Sequence, residues 1–262
     1  MADPALVRRI EDAQLSVWPG VRTAIDGSWI VRISGGHTNR ANSLNILDPH
    51  DGDGTDERLD WVFRLYRRAG LDPVVRVTPL TPAPVLARTD ALGFARFGET
   101  LMLVRDAPAV PVTEAATPAQ AVEVLETATD EFLGAVARFS NQSDRERAGF
   151  WAILSAMADE TVFVLARDRE GMPASCLIAA LHRDIATVFA VATDPAARRR
   201  GHARACLGAA FAWAAGAGAT LFWIGVEVDN APARALYEGC GFAEAYRYHY
   251  RRAPRPAEEG TG

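Results

Sequence analysis

"ATDPAARRRGHARA", Ala192 to Ala205, is the stretch on which the reading of this chain turns. It sets four arginines among small residues and breaks the run with one glycine. Such a stretch serves as a basic patch for nucleic acid, as a cluster beside a membrane, or as a loop whose backbone holds phosphate. Its neighbours choose between them. "TVFAVAT" (Thr187 to Thr193) reads as a buried strand, Asp194-Pro195 turns the chain, and Leu207, Ala210, Phe211 and Ala214 then follow helical spacing. A helix that opens after such a turn presents free N–H groups and the positive end of its dipole, and both attract an anion. Gly201 lets a ligand approach the backbone with no Cβ in the way. Gly201 and Ala203 alternate with His202 and Arg204, so small residues line one side of the first turn. A diphosphate suits that surface, with arginine side chains left to meet a further phosphate at the rim. Neither GxxxxGK[ST] nor GxGxxG occurs, so the P-loop and dinucleotide readings lack their motifs.

The bulk of the chain agrees with a local, not a global, anion site. A formal net charge of -5 gives no overall positive field, which argues against nucleic acid or an anionic membrane as partner. With 262 residues, 49% hydrophobic and 23% charged, the chain has the length and composition of one large or two ordinary globular domains. Cys176, Cys206 and Cys240 are odd in number and have no CxxC pair. That argues against a disulfide framework and a structural zinc site, and fits a cytoplasmic location. "MADPALVRRIEDAQ" has no apolar core, so a secretory signal is not expected there. Ala205 to Val226 is uncharged and long enough to span a membrane, but "GAGA" (Gly216 to Ala219) divides it into a helix and a buried strand, "TLFWIGVEV". No membrane span is expected. In "DPHDGDGTDE" (Asp48 to Glu57), placing Gly54 sixth in a calcium loop puts Pro49 first, without a side-chain oxygen. A solvated acidic loop, and no metal, is the expectation.

The second half reads as α-α-β-β-β-α-β-α-β. Thr117 as N-cap and Pro118 after it open a helix through "TPAQAVEVLETATDEFLGAVARF", and "DRERAGFWAILSAM" gives a second. "TVFVLAR", "ASCLIAALH" and "IATVFAVAT" follow as a meander of strands, then a helix from about Gly201 to Ala215, the strand Leu221–Val228, a short helix "APARALYEG" and a last strand "YRYHYR". In the first half, helices are expected near Pro4–Leu15, in "ERLDWVFRLYRRAG" and in "VLARTDALG", and strands in "WIVRIS", "SLNIL", "VVRVT" and "TLMLVRD". "TDALGFARFGETLMLVRDA" and "RALYEGCGFAEAYRYHYRRA" echo one another, each running from a short helix through Gly-Phe into a strand that ends basic. Two related domains are expected, residues 1–108 and 109–253, with a disordered tail over 254–262.

Arg198-x-x-Gly201-x-Ala203 after a strand, followed downstream by "VEVDNAPARALYEGCGF" (Val226 to Phe242), resembles the two signatures of the GNAT superfamily of N-acetyltransferases. The resemblance covers about residues 111–252, and the first half is more faintly similar to the degenerate partner domain of tandem GNAT proteins. It implies an α/β (α+β) fold with a mixed, mostly antiparallel central sheet flanked by helices, and acetyl-CoA as cofactor. Backbone groups of Val191, Ala192 and Thr193 would pair with the pantetheine arm. Amides of Arg199, Arg200, Gly201, His202, Ala203 and Arg204, with Arg198 beside them, would cradle the pyrophosphate. Asn230 and Ala233 would contact the cofactor, and Tyr237 would stand near the thioester sulfur.

The chemistry asks for such groups. A thioester carbonyl is polarised by N–H donors aimed at its developing oxyanion, and a departing thiolate is helped by a proton from a tyrosine. An ammonium must also lose a proton before it attacks, for which Glu227 is the first candidate and His182 and Glu160 are weaker ones. Against these stand plainer roles: Tyr237 as a core aromatic, and Arg198–Arg200 as a solvated face. The expected activity is acetyl transfer to a primary amine of a small molecule or peptide, by direct attack in a ternary complex of a monomer or homodimer. The alternative is a non-catalytic acyl-CoA-binding module of the same fold.

Overall fold

A computed structural model provides the structure and describes residues 3–107 and 121–254. Two compact units are present. The first takes its residues from Met1–Leu101, Gly149–Ala156 and Tyr246–Gly262, and the second from Met102–Ala148 and Met157–Ala245.

In the first unit, α1 (Pro4–Val17) starts at Asp3, whose carboxylate accepts from the Ala5 N–H at 3.0 Å, with proline in the first turn. A short edge strand not expected from the sequence, β1 (Arg22–Asp26), pairs with β2 (Trp29–Ile33) through a turn in which Gly27 takes φ +57°. β3 (Leu44–Ile46) is antiparallel to β2, and α2 (Thr55–Arg68) crosses over to β4 (Val74–Val77), parallel to β3. α3 (Ala83–Ala91) leads into the long β5 (Ala95–Asp106), which begins in the first unit and ends in the second. The chain's last strand, β11 (Ala243–Arg252), pairs antiparallel with β4 from His249 opposite Val77 to Arg252 opposite Val74. One sheet face carries Trp29, Val31, Leu44, Ile46, Val75 and Val77 against Leu59, Val62 and Tyr66 of α2 and Val85 of α3. The other face, under α1, mixes apolar and aromatic side chains with Arg32, Asn45 and Arg76.

In the second unit, β6 (Val122–Leu125), β7 (Glu160–Arg167), β8 (Pro173–His182) and β9 (Ile185–Thr193) form an antiparallel run. The helix α6 (His202–Gly216) then crosses to β10 (Leu221–Glu227), parallel to β9 and flanked by the end of β5. α4 (Asp130–Phe139) packs Phe132 on Phe163 of β7 at 5.2 Å between ring centroids. α6 covers the opposite face, where Phe211 meets Phe222 at 4.7 Å. α5 (Asp144–Leu154) follows α4 and is divided between the units, its residues from Gly149 on belonging to the first, and α7 (Ala231–Glu238) joins β10 to β11.

Two expectations are corrected. No single helix runs to Phe139 from the Thr117 side: "VEVL" forms β6 against β7, and α4 starts at Thr129, whose hydroxyl accepts from the Phe132 N–H at 3.2 Å. Thr117 and Pro118 lie outside the described residues, as does the expected tail beyond residue 254. The acidic loop before α2 is also not simply solvated. Asp51 accepts from the Ser28 N–H and hydroxyl and pairs with Arg58 at 2.6 Å, and the Arg58 hydrogen bond holds its carboxyl far below the usual range. The stretch Ala205–Val226 divides between α6 and β10, and no helix among the described residues is long and apolar enough to cross a membrane.

Candidate active site

β9 and β10 pair through only three rungs, Ile185–Leu221, Ala186–Phe222 and Thr187–Trp223. Beyond them the strands part, and their later backbone groups have no rung with each other. A bulge marks the same place. Ile178 of β8 faces Phe189 and Cys176 faces Ala192, so β9 carries one extra residue, and Ala190 takes φ +52°. A bulge re-aims the residues after it, and an alanine at positive φ is a strained position that the surrounding pairing must hold. Ser175, fully buried on β8, fixes the strand's end: its hydroxyl donates to the Ala192 carbonyl at 2.8 Å. That commits its proton, so the 2.9 Å contact with Thr193 has the threonine hydroxyl as donor.

Past the strand, Asp194 caps a single 3-10 turn, Pro195–Ala197, by accepting from the Ala196 N–H at 2.9 Å. Arg199 at φ +64° and Gly201 at φ +88° bend the chain into α6. No side chain caps this helix, and its first bond back runs from the Ala205 N–H to the Gly201 carbonyl. The N–H groups of the first turn therefore point out of the helix with no intrahelical acceptor. His202, 5% exposed, has its ring basicity lowered by burial, and its Nδ1 has no protein partner.

A cavity of about 640 Å³ lies between these parts. Of the residues singled out from sequence, Val191, Ala192, Thr193, Arg198, Arg199, Gly201, His202, Ala203, Arg204, Asn230, Ala233 and Tyr237 line it. Arg200 and Glu227 are exposed and do not. Glu227 ends β10, at the end of the sheet where the strands part. His182, paired with Asp159 at 2.9 Å, and Glu160 stand at the opposite end, facing Ile185 and Leu181 respectively.

Asn230 caps α7 by accepting from the Ala233 N–H at 3.2 Å, which leaves its amide N–H groups for another acceptor. Tyr237, seventh residue of that helix, is 6% exposed, and burial, followed by the nearby Cys240 thiol, pushes its pKa up to about 12. Two arginines hold the turn behind it. Arg105 of β5 donates to the Cys240 carbonyl at 2.6 Å and Arg204 to the Gly239 carbonyl at 3.2 Å. Arg105, Ser175 and the cavity residues Phe139 and Ser140 were not singled out from sequence. Each lies outside the two motifs, and only the fold brings it near them.

A family model described as the probable histone acetyltransferase Rv0428c C-terminal family matches residues 4–251. The chain belongs to that family. Solved structures carry the same fold. A GCN5-related N-acetyltransferase from Kribbella flavida superposes with a TM-score of 0.72 at 15% identity, over 95% of this chain and 96% of that one. A tandem GNAT protein of the clavulanic acid biosynthesis pathway gives 0.63 at 15% identity, over 95% and 89%. A GCN5-related N-acetyltransferase from Sphaerobacter thermophilus gives 0.62 at 16%, over 80% and 72%. No curated protein matches the chain by sequence. This member of the Rv0428c C-terminal family thus has the GNAT fold.

Proposed function

We propose that the protein is an acetyl-CoA-dependent N-acetyltransferase whose cofactor lies in the cavity of the second unit. The observation that carries this reading is one cavity bordered at once by a bulged strand end, an uncapped helix start and a buried tyrosine. When bound, acetyl-CoA supplies an activated acyl thioester. The N–H groups of His202, Ala203 and Arg204 hold its diphosphate, with Arg198 and Arg199 at the rim. The bulge frees strand-end N–H groups near Val191 to hydrogen-bond the pantetheine arm and polarise the acyl carbonyl. Tyr237 keeps its proton, raised as its pKa is, and gives it to the departing thiolate. Glu227 takes the acceptor's proton through water, from the open end of β10.

Release of free thiol from acetyl-CoA in the presence of a panel of primary amines and amine-ended peptides tests the reading. Amine-dependent release abolished by Tyr237→Phe is expected. Tight acetyl-CoA binding without release by any amine would make the protein an acyl-CoA-binding module instead.

A further inference from the structure

The face of the first unit's sheet under α1 holds more positive charge than it neutralises. Pairing puts Arg32 opposite Ser43, Ile30 opposite Asn45 and Arg76 opposite Tyr250, so Arg32, Asn45 and Arg76 share the face that α1 covers with Glu11 and Gln14. Glu11 is fully engaged. It accepts from Arg76 at 3.0 and 2.7 Å and from the Tyr246 hydroxyl at 2.6 Å, and the Arg76 guanidinium also lies 3.4 Å over the Tyr248 ring. Arg32, 1% exposed, meets no carboxylate among the described residues, and neither of its terminal nitrogens has a partner. Arg76 Nη1, Asn45 Oδ1 and both amide atoms of Gln14 are unpartnered too.

Burial lowers the Arg32 pKa to about 9, with Arg76 and then Arg40 among the causes that press the same way. A guanidinium does not give up its proton at such a site, and an unpaired buried charge is among the costliest features a fold can keep. Buried water can satisfy Asn45 Oδ1, but it cannot neutralise Arg32. α1 lies along this row. Arg8 donates to the Leu47 carbonyl near one end, and Trp18 follows the other, bonded to Thr38 and carrying Arg40 at 5.3 Å from its ring. Gln14 falls between them, and Arg40, half-buried, stands at the Trp18 end.

We propose that this face binds a small organic carboxylate that also carries an N–H or O–H hydrogen. The planar fork of Arg32 matches a carboxylate through two parallel hydrogen bonds, and Arg40 adds charge at the Trp18 end. Asn45 Oδ1 and Gln14 Oε1 are orphaned acceptors, so they call for donors, which a sulfate dianion does not have. The site is a second one, in a unit without the Arg-x-x-Gly-x-Ala loop, and it does not depend on the acyl-transfer reading.

Thermal midpoint and calorimetry on the full chain test it, at constant ionic strength and with excess CoA present, using glycolate, glycine, acetate and sulfate as probes. A saturable rise in midpoint is expected with glycolate or glycine, a weaker one with acetate, and no saturable one with sulfate. Arg32→Met should fold, with a ligand-free midpoint no lower than wild type, since an apolar side chain replaces an unpaired buried charge. It should lose at least about tenfold in carboxylate affinity, the least expected when a hydrogen bond to a charged group is removed. Should Arg32→Met not fold, Asn45→Ala serves in its place and should erase the preference for glycolate over acetate. The proposal is overturned if no carboxylate gives a saturable response, if sulfate matches the carboxylates, or if the variant binds them as wild type does.

Discussion

Tyr237 and Thr89 occupy the same place in two copies of one turn. In the second unit the Phe242 N–H bonds the Tyr237 carbonyl at 3.1 Å and the Gly241 N–H bonds that of Glu238 at 2.9 Å. In the first, Phe94 bonds Thr89 at 3.0 Å and Gly93 bonds Asp90 at 3.0 Å, and both glycines sit at positive φ. The side chains differ in kind. Thr89 is fully buried and donates its hydroxyl to the α3 carbonyls of Val85 and Leu86, while it accepts from Arg251 at 2.7 Å. Tyr237 lines a cavity. Tyr237→Phe should therefore cut turnover by about 10²–10⁴-fold with little change in acetyl-CoA affinity or thermal midpoint, as loss of a positioned general acid does. Loss of binding and stability together would make it a packing residue. Its pKa of about 12 means the acid stays protonated through the assay range, so the rate should not fall between pH 8 and 10. A falling alkaline limb there that vanishes in the phenylalanine variant would contradict the raised pKa. The echo between "TDALGF" and "YEGCGF" was legible in the sequence, and so were Gly201, His202, Ala203, Arg204, Asn230 and Ala233 on the cavity wall, though not Pro232, Ala235 and Leu236 beside them. Arg105 and Ser175 were not, because a side chain recruited from a distant strand leaves no local pattern.

Among the elements, the start of α6 and the cap of α7 make separable predictions. Gly201 combines φ +88° with a place on the cavity wall. Gly201→Asp adds strain, a Cβ and a negative charge there, whereas Arg198→Ala removes only a rim side chain. Calorimetry with acetyl-CoA should show a far larger loss for the first, and equal losses at matched stability would argue against a backbone cradle. Asn230→Ala should cost about 1 kcal/mol of stability, the usual worth of an N-cap, and lower turnover by loosening the helix that carries Tyr237. Chemical denaturation and steady-state rates read the two effects apart. The strands β7 to β10 were legible because buried runs of Val, Ile, Leu and Phe admit few other readings. β6 was hidden by the signals around it: Thr117-Pro118 reads as a helix start ahead of it, and the cap of α4, Thr129 with Asp130 and Glu131 in the first turn, follows it closely. β1, "RTAID", is a mostly exposed edge strand with no apolar face to announce it.

At the scale of the molecule, neither unit is one continuous stretch of chain. The second includes the end of β5, where the Ala107 N–H bonds the Thr220 carbonyl at 2.9 Å, and the first includes β11 from Tyr246 on. A chain cut to residues 107–262 should thus fold poorly by circular dichroism, because it lacks Met102–Asp106 beside β10 and has no β4 to receive β11. A cooperatively folded fragment would show that the strands can be replaced. β11 also brings an acid sensitivity. Burial, followed by Arg96 and Arg251, lowers the His249 pKa to about 4, against the ordinary 6.5 of the unfolded chain. The unfolded state then binds more protons between those values, so this contribution is full above about pH 6.5 and is lost as pH falls toward 4. Urea midpoints measured from pH 7 to 4.5 should fall more steeply for wild type than for His249→Gln, and parallel curves would remove His249 from the account. The place of β11 bears finally on how the protein is made. Val77 leaves the ribosome long before its partner His249 exists, and at about 5–20 residues per second the interval is on the order of ten to thirty seconds. Through that time β4 has an open edge, so the nascent chain is most exposed to wrong pairing, and most in need of a chaperone, while its second half is still being translated.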